Sequence, residues 1–219
     1  MIDIKVKICG LNSASLVETA VDFGASYIGC SFNKNSINYI TPLFARDICF
    51  HVSEIIEKIA VVSNISDKNL SEVMFYFKPD FVQFNGTESS EYISIFKEKF
   101  NCKVIKTIFL HSKKDLNEIN SYLNVADMFL FEPTSNYLER HNNKKFFDWQ
   151  ILQKIQIDIP YMISDNISKH NLAFLIRASK AKIISVDSSL ESGIGIKDPI
   201  LIKEFMDNLR NFCAYEPNE

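Results

Sequence analysis

The chain has 219 residues, of which 47% are hydrophobic and 23% are charged, and its formal net charge is −3. This balance suits one sizeable globular core, and the length lies within the range of a single α/β barrel. The small negative charge gives no electrostatic reason to expect nucleic acid or an anionic membrane as a partner. No apolar run has the length of a membrane span, and the N-terminus lacks the apolar stretch of a signal peptide. We therefore expect a cytoplasmic protein without membrane association.

Short runs rich in Ile, Val, Phe and Tyr recur along the chain, as is typical of buried parallel strands. The predicted strands cover residues 4–8, 27–32, 58–63, 81–85, 103–109, 128–132, 161–164 and 182–187. Segments with helical spacing of apolar residues lie between them, and they cover residues 13–24, 66–77, 168–178 and 199–210. The first of these has Ser13 at its expected cap and Gly24 at its expected end.

The alternation of strands and helices predicts an α/β protein in which residues 1–219 form a single (β/α)8 TIM barrel. A doubly wound open sheet is the alternative, because pattern alone does not separate the two folds. The longest irregular segment covers residues 132–146 and follows the sixth predicted strand. Since barrel sites lie at the carboxyl ends of strands, this loop is expected to be functional.

Cys9 comes directly after the first predicted strand and is followed by Gly10. A thiol at a strand end beside a turn-forming glycine is placed where chemistry occurs in such folds, although a buried cysteine is more often a small hydrophobe. The five cysteines are scattered and odd in number, which predicts reduced thiols rather than disulfides or a zinc site. The four histidines have no metal-ligand spacing either, so no metal site is expected.

Seven short motifs occur in a fixed order along nearly the whole chain. They are V-K-I-C-G (6–10), G-A-S-Y-I-G (24–29), N-Y-I-T-P (38–42), V-Q-F-N-G (82–86), V-I-K (104–106), F-D-W (147–149) and L-E-S-G-I-G-I-K-D (190–198). Together they resemble the phosphoribosylanthranilate isomerase family of tryptophan biosynthesis. The resemblance implies a barrel that converts an N-phosphoribosyl anthranilate into an aminoketose by an Amadori rearrangement, without a cofactor. The implied partner is a small phosphosugar, and the implied state is a monomer or a homodimer.

The resemblance also implies roles for individual residues. Cys9 corresponds to the general base and Glu132 to the general acid, although the family has the shorter Asp at the second position. Asn38 stands where the family has an Arg that orients the aromatic acid, and an amide cannot reproduce a bidentate grip on a carboxylate. Gln83 is retained from the family motif, and Asn85 replaces its His. These three residues are candidate substrate contacts, together with Asp187 at the end of the eighth predicted strand.

A phosphate site is expected where the seventh and eighth strands end, because backbone N–H groups there can meet the dianion. The candidates are Ser164, Asp165, Asn166, Ser188 and Ser189. Asp165 and Asn166 replace two family glycines, and a carboxylate facing a dianion would repel it. The basic segment Arg140–Lys145 could bind phosphate through side chains instead, or it could be a solvated loop.

Two functions of different classes follow. The first is a divergent phosphoribosylanthranilate isomerase that uses Cys9 and Glu132. The alternative is an isomerase-like barrel that is non-catalytic, or altered in substrate, because the contacts to phosphate and anthranilate have changed.

Overall fold

Eight parallel strands close into a barrel in the computed structural model, which describes residues 3–52, 54, 56–133, 147–155, 157–164 and 166–215. The strands are β1 Lys5–Cys9, β2 Tyr27–Ser31, β3 Glu57–Val62, β4 Phe81–Phe84, β5 Lys103–Phe109, β6 Met128–Glu132, β7 Tyr161–Ser164 and β8 Ile183–Val186. Each strand pairs with the next along the chain, and β8 pairs with β1 through the register Ile8↔Val186. The barrel prediction is therefore confirmed and the open sheet is excluded. No predicted strand end differs from the observed one by more than one residue.

The helices cover the outside of the barrel. They are α1 Ala14–Asp22, α2 Pro42–Ile48, α3 Asp67–Tyr76, α4 Ser90–Phe100, α5 Leu172–Ser179 and α6 Pro199–Tyr215, with 3₁₀ helices at Lys113–Ser121, Trp149–Lys154 and Ser188–Leu190. The first four begin after Ser13, Thr41, Ser66 and Ser89, whose side-chain oxygens each accept a hydrogen bond from the backbone N–H three residues later.

Three helix predictions differ from the structure. The helix expected over 168–178 begins only at Leu172, because residues 168–171 form turns and Asn171 makes no side-chain cap. The last helix continues to Tyr215, five residues beyond its predicted end. Helices α2 and α4 were absent from the predicted pattern, although each has a cap of the preferred type.

Successive side chains of a strand point to opposite faces, so the apolar side chains of the barrel form two separate clusters. On β1, Val6 and Ile8 point outward to the cluster between the strands and helices. On β6, Met128 and Leu130 point inward to the smaller cluster that fills the barrel, and Cys9 packs against that cluster from the end of β1. Most inward positions at the carboxyl ends of the strands are polar instead, among them Gln83, Glu132 and Ser164, so the barrel is filled with apolar side chains at one end and has a largely polar cavity at the other.

A short antiparallel hairpin follows β8 and was not predicted. It consists of β9 Glu191–Gly193 and β10 Ile196–Lys197. Its turn approaches the loop after β2, because a Cβ on Gly195 would lie only 3.0 Å from Cγ1 of Ile37. The hairpin therefore lies beside the carboxyl ends of β1 and β2. No helix in the described parts of the chain is both long and apolar enough to cross a bilayer.

Candidate active site

A cavity of about 480 Å³ opens at the carboxyl ends of the barrel strands. Every strand contributes to its wall, and the polar lining residues include Lys7, Cys9, Ser31, Asn38, Ser63, Gln83, Asn85, Glu132, Ser164, Ser185, Asp187, Ser188 and Glu191. This is the end of an α/β barrel at which active sites are found. The candidate residues Cys9, Glu132, Asn38, Gln83, Asn85, Asp187, Ser164 and Ser188 therefore share one cavity.

Cys9 is the last residue of β1 and lies half-buried on the cavity wall. Gly10 follows it with φ +76°, a conformation that favours glycine, and its N–H still donates to the carbonyl of Gly29. Burial raises the pKa of the Cys9 thiol above its ordinary value. The ammonium of Lys7 is the strongest opposing influence on that pKa, while Asp187 adds to the rise and Lys197 opposes it.

Glycine at position 29 leaves the space that this arrangement needs. A Cβ at Gly29 would lie 2.7 Å from Cε of Lys7 and 2.9 Å from Sγ of Cys9. Both distances are shorter than carbon atoms tolerate, so a larger residue on β2 would displace the amine or the thiol.

Glu132 ends β6 and points inward, on the same side of the strand as Met128 and Leu130. Its side chain is almost fully buried, at 4% exposure, and the hydroxyl of Ser164 lies 3.5 Å from Oε1 in donor geometry. Strand β6 lies three strands from β1 around the barrel, by way of β8 and β7. The carboxyl group and the Cys9 thiol therefore enter the cavity from well-separated walls.

Gln83 is held in a buried network rather than directed at open space. Its Oε1 accepts a hydrogen bond of 2.5 Å from Nζ of Lys7, and its Nε2 donates to Oδ1 of Asn85 at 2.6 Å and to the hydroxyl of Thr107 at 3.3 Å. The Thr107 hydroxyl in turn donates to Oδ1 of Asn85 at 2.5 Å. The two candidate substrate contacts Gln83 and Asn85 thus support each other and Lys7.

Asn38 is buried, at 7% exposure, and lines the cavity between two glycines. A Cβ at Gly10 would lie 2.7 Å from its Nδ2, and one at Gly195 would lie 3.5 Å from its Oδ1. The Oδ1 atom has no hydrogen-bond partner among the described residues. Because a buried polar atom without a partner is costly, this oxygen is available to a bound molecule.

Asp187 is tied to the hairpin after β8. Nζ of the fully buried Lys197 donates to Oδ1 of Asp187 at 2.6 Å and to Oε1 of Glu191 at 2.5 Å. Burial acts to lower the pKa of Lys197, but the two carboxylates raise it above its ordinary value. Lys197 therefore stays charged and fixes two carboxylates of the cavity wall.

The phosphate candidates separate into two groups. Ser164 and Ser188 line the cavity. Ser189 and Asn166 are not among the lining residues. The Ser189 hydroxyl donates to the carbonyl of Ile167, and the backbone carbonyl of the exposed Asn166 accepts a hydrogen bond of 2.9 Å from Nδ2 of Asn171. Asp165 and the basic segment Arg140–Lys145 lie outside the described residues.

The comparisons with known proteins agree with one another. The family model of N-(5'-phosphoribosyl)anthranilate (PRA) isomerase matches residues 6–208. The N-(5'-phosphoribosyl)anthranilate isomerase of Rhizobium rhizogenes is 31% identical over 215 residues, which cover 97% of this chain and 96% of that protein. Its counterpart from Rhizobium leguminosarum bv. trifolii is 33% identical over 205 residues, 92% of each chain. This chain belongs to the PRA isomerase family.

Solved structures of PRA isomerases have the same fold. The enzyme from Thermotoga maritima superimposes with a TM-score of 0.83 at 24% identity, covering 95% of this chain and 99% of that one. A PRA isomerase in complex with reduced 1-(o-carboxyphenylamino)-1-deoxyribulose 5-phosphate gives a TM-score of 0.80 at 23% identity, with the same coverage. The resemblance read from the seven motifs is confirmed at the level of family and fold.

Sequence reasoning missed three charged residues of this PRA isomerase cavity, Lys7, Glu191 and Lys197. All three occur within quoted motifs, but no role was assigned to them. For Lys7 a signal was present, since it lies two residues before Cys9 and therefore on the same face of β1. For Lys197 there was none, because its partners become neighbours only through the hairpin after β8.

Proposed function

We propose that this chain isomerises N-(5'-phosphoribosyl)anthranilate to 1-(o-carboxyphenylamino)-1-deoxyribulose 5-phosphate in tryptophan biosynthesis. The observation that carries the proposal is the placement of one thiol, Cys9, and one buried carboxyl group, Glu132, on separate walls of the same cavity. The reaction needs a base and an acid acting on different atoms of one sugar, and this placement supplies both.

The reaction begins with two proton transfers. Glu132, in its protonated form, donates to the ring oxygen of the ribose, and the ring opens to an iminium ion as the C–O bond breaks. The Cys9 thiolate then removes the proton from the adjacent sugar carbon. The C–H electron pair neutralises the iminium nitrogen and leaves an enolamine. The enolamine becomes the aminoketose when its hydroxyl group loses a proton and the carbon bonded to nitrogen gains one.

The phosphate end of the substrate belongs, in this proposal, at the ends of β7 and β8. Ser164 and Ser188 line the cavity there, and their hydroxyl groups can donate to phosphate oxygens. The substrate is then oriented with its sugar between Cys9 and Glu132 and its aromatic ring towards Asn38.

The assembly and location of the protein remain expectations that the family supports. A solved structure describes monomers generated from the dimeric Thermotoga maritima enzyme, so both states occur among relatives. We propose a monomer or homodimer in the cytoplasm, where the five free cysteines of this chain would stay reduced.

The direct test is turnover of purified protein, followed by the loss of substrate fluorescence. A parallel test asks whether the gene restores growth without tryptophan to a strain that lacks the isomerase. We expect both to succeed. A folded protein that shows no turnover, and whose gene fails to rescue growth, would overturn the proposal.

A second candidate is an isomerase-like barrel that is non-catalytic or altered in substrate, and Asn38 favours it. Its amide cannot make the bidentate, charged contact to a carboxylate that an Arg makes, and its Oδ1 can only accept a hydrogen bond. Calorimetric titration with the reduced product analogue separates the cases. Binding without turnover indicates a non-catalytic barrel, and neither binding nor turnover indicates a different substrate.

A further inference from the structure

Lys7 is a buried ammonium group inside the barrel. Its side chain is 1% exposed, and no carboxylate among the described residues forms an ion pair with it. Burying a charge without an opposite charge is costly, and such groups concentrate at functional sites. A functional role for the Lys7 ammonium would explain why the protein tolerates this cost.

Two features hold the Lys7 ammonium beside Cys9. The first is Gln83, whose Oε1 accepts from Nζ at 2.5 Å and whose amide is itself fixed by Asn85 and Thr107. The second is Gly29, which admits both Cε of Lys7 and Sγ of Cys9 to the space above its Cα. Cε of Lys7 and Sγ of Cys9 lie 2.7 Å and 2.9 Å from the same point, the Cβ position of Gly29, so the amine and the thiol are close neighbours.

We propose that Lys7 is a positioning residue for Cys9, whose thiolate its ammonium stabilises, and that Gln83 serves this pair by holding the ammonium rather than by binding substrate. The inference rests on the proposed function, because it explains how a half-buried thiol can serve as a base. The Lys7 amine takes no part in the proton transfer itself. The proton that Cys9 takes from the sugar carbon resides on sulfur, and the thiol later loses it to solvent.

Among the charged groups that the structure describes around Cys9, Lys7 is the one that can stabilise the thiolate. Burial raises the pKa of the thiol and Asp187 raises it further, so the thiolate needs a cation. Lys197 is committed to Asp187 and Glu191. Glu132 enters the cavity from β6 and carries no positive charge. The effect of Lys7 on the thiol exceeds that of Lys197.

The test is the pH dependence of alkylation of Cys9 by iodoacetamide, in which the thiolate forms an S–C bond and iodide leaves. Cys9→Ser protein gives the background from the other four cysteines. Lys7→Met removes the charge at nearly constant length. Lys5→Met is the matched control, because Lys5 lies on the same strand but is exposed.

We expect the alkylation midpoint to rise by about 1–2 pH units in Lys7→Met, since an opposite charge close to an ionisable group typically lowers its pKa by about 1–3 units. Lys5→Met should titrate as the wild type does. The turnover number of Lys7→Met should fall about tenfold or more at neutral pH with KM nearly unchanged, because binding is not its role.

An alkylation midpoint in folded Lys7→Met within a few tenths of a pH unit of wild type would overturn the inference. If circular dichroism shows Lys7→Met to be unfolded, Lys7→Gln replaces it, and the same comparison decides. The experiment needs no substrate, so it is separable from the proposed function. A wild type without turnover whose midpoint still depends on Lys7 would refute the isomerase activity and support the coupling of Lys7 to Cys9.

Discussion

At the scale of single residues, Cys9 illustrates how position decides what a side chain does. The other buried thiols, Cys30, Cys49 and Cys102, lie within the apolar cluster outside the barrel. Cys9 has the same chemistry, but it ends an inward-facing row on β1 and therefore reaches the cavity.

Cys9→Ala should leave the fold intact and lower the turnover number by about 100- to 10,000-fold, which is the contribution typical of a general base. The measurement is turnover by fluorescence, with circular dichroism as the check on folding. Cys213→Ala is the matched control, because this thiol lies on the last helix and outside the cavity lining. Equal rates in Cys9→Ala and wild type would remove the thiol from the mechanism.

Glu132→Gln tests the acid with almost no change in size. The amide cannot donate a proton to the ring oxygen as a carboxylic acid does, so we expect the turnover number to fall by about 100- to 10,000-fold. Glu132→Asp should raise the activity, because it restores the shorter side chain that the family has at this position and with it the placement of the acid. The two acids have nearly the same intrinsic pKa, so the comparison isolates this difference in geometry. Wild-type turnover in Glu132→Gln would show that another group is the acid.

At the scale of elements, the strands were predictable and the helices less so. A buried parallel strand is a short run of Ile, Val and Phe bounded by polar residues, and each of the eight appears in the sequence as such a run. Helix α5 began later than expected because the polar residues 168–171 form a turn, for which apolar spacing gives no signal. The hairpin β9–β10 has only five strand residues, too few for an alternating pattern.

That hairpin should depend on Lys197. Its ammonium is fully buried between Asp187 and Glu191, so Lys197→Met leaves two carboxylates near the cavity without their cation. Removing one partner of a buried ion pair typically costs about 3–5 kcal/mol, and we expect the free energy of unfolding to fall by about that amount. Chemical denaturation measures it.

Lys169→Met is the matched control for Lys197→Met. Lys169 makes an ion pair of similar length with Glu204, at 2.7 Å, but both side chains are nearly half exposed. Exposed pairs contribute about 0–1 kcal/mol, so this change should be small. A loss in Lys197→Met no larger than that in Lys169→Met would show that the network does not stabilise the fold.

At the scale of the whole molecule, closure of the barrel brings together residues from opposite ends of the chain. Pairing of β1 with β8 places Asp187 beside Gly10, so that a Cβ on this glycine would lie 3.2 Å from Oδ1 of Asp187. The sequence indicated Cys9 through its motif and Glu132 through its position at the end of the sixth predicted strand. It could not indicate the Lys7–Gln83 bond, because that contact joins strands 76 residues apart and depends on the register of the closed sheet.

A ligand that binds in the cavity should raise the thermal stability of the protein. A molecule that binds only the folded state at 100 times its dissociation constant adds about 2.7 kcal/mol, which for a chain of this size raises the melting temperature by about 5–10 °C. We expect this from the reduced product analogue, measured by scanning calorimetry at rising ligand concentration. Cys9→Ala should retain the shift, since the thiol acts in proton transfer and not in binding. An unchanged melting temperature in both proteins would mean that the cavity does not accept this ligand, whereas a shift lost only in Cys9→Ala would make the thiol a binding group.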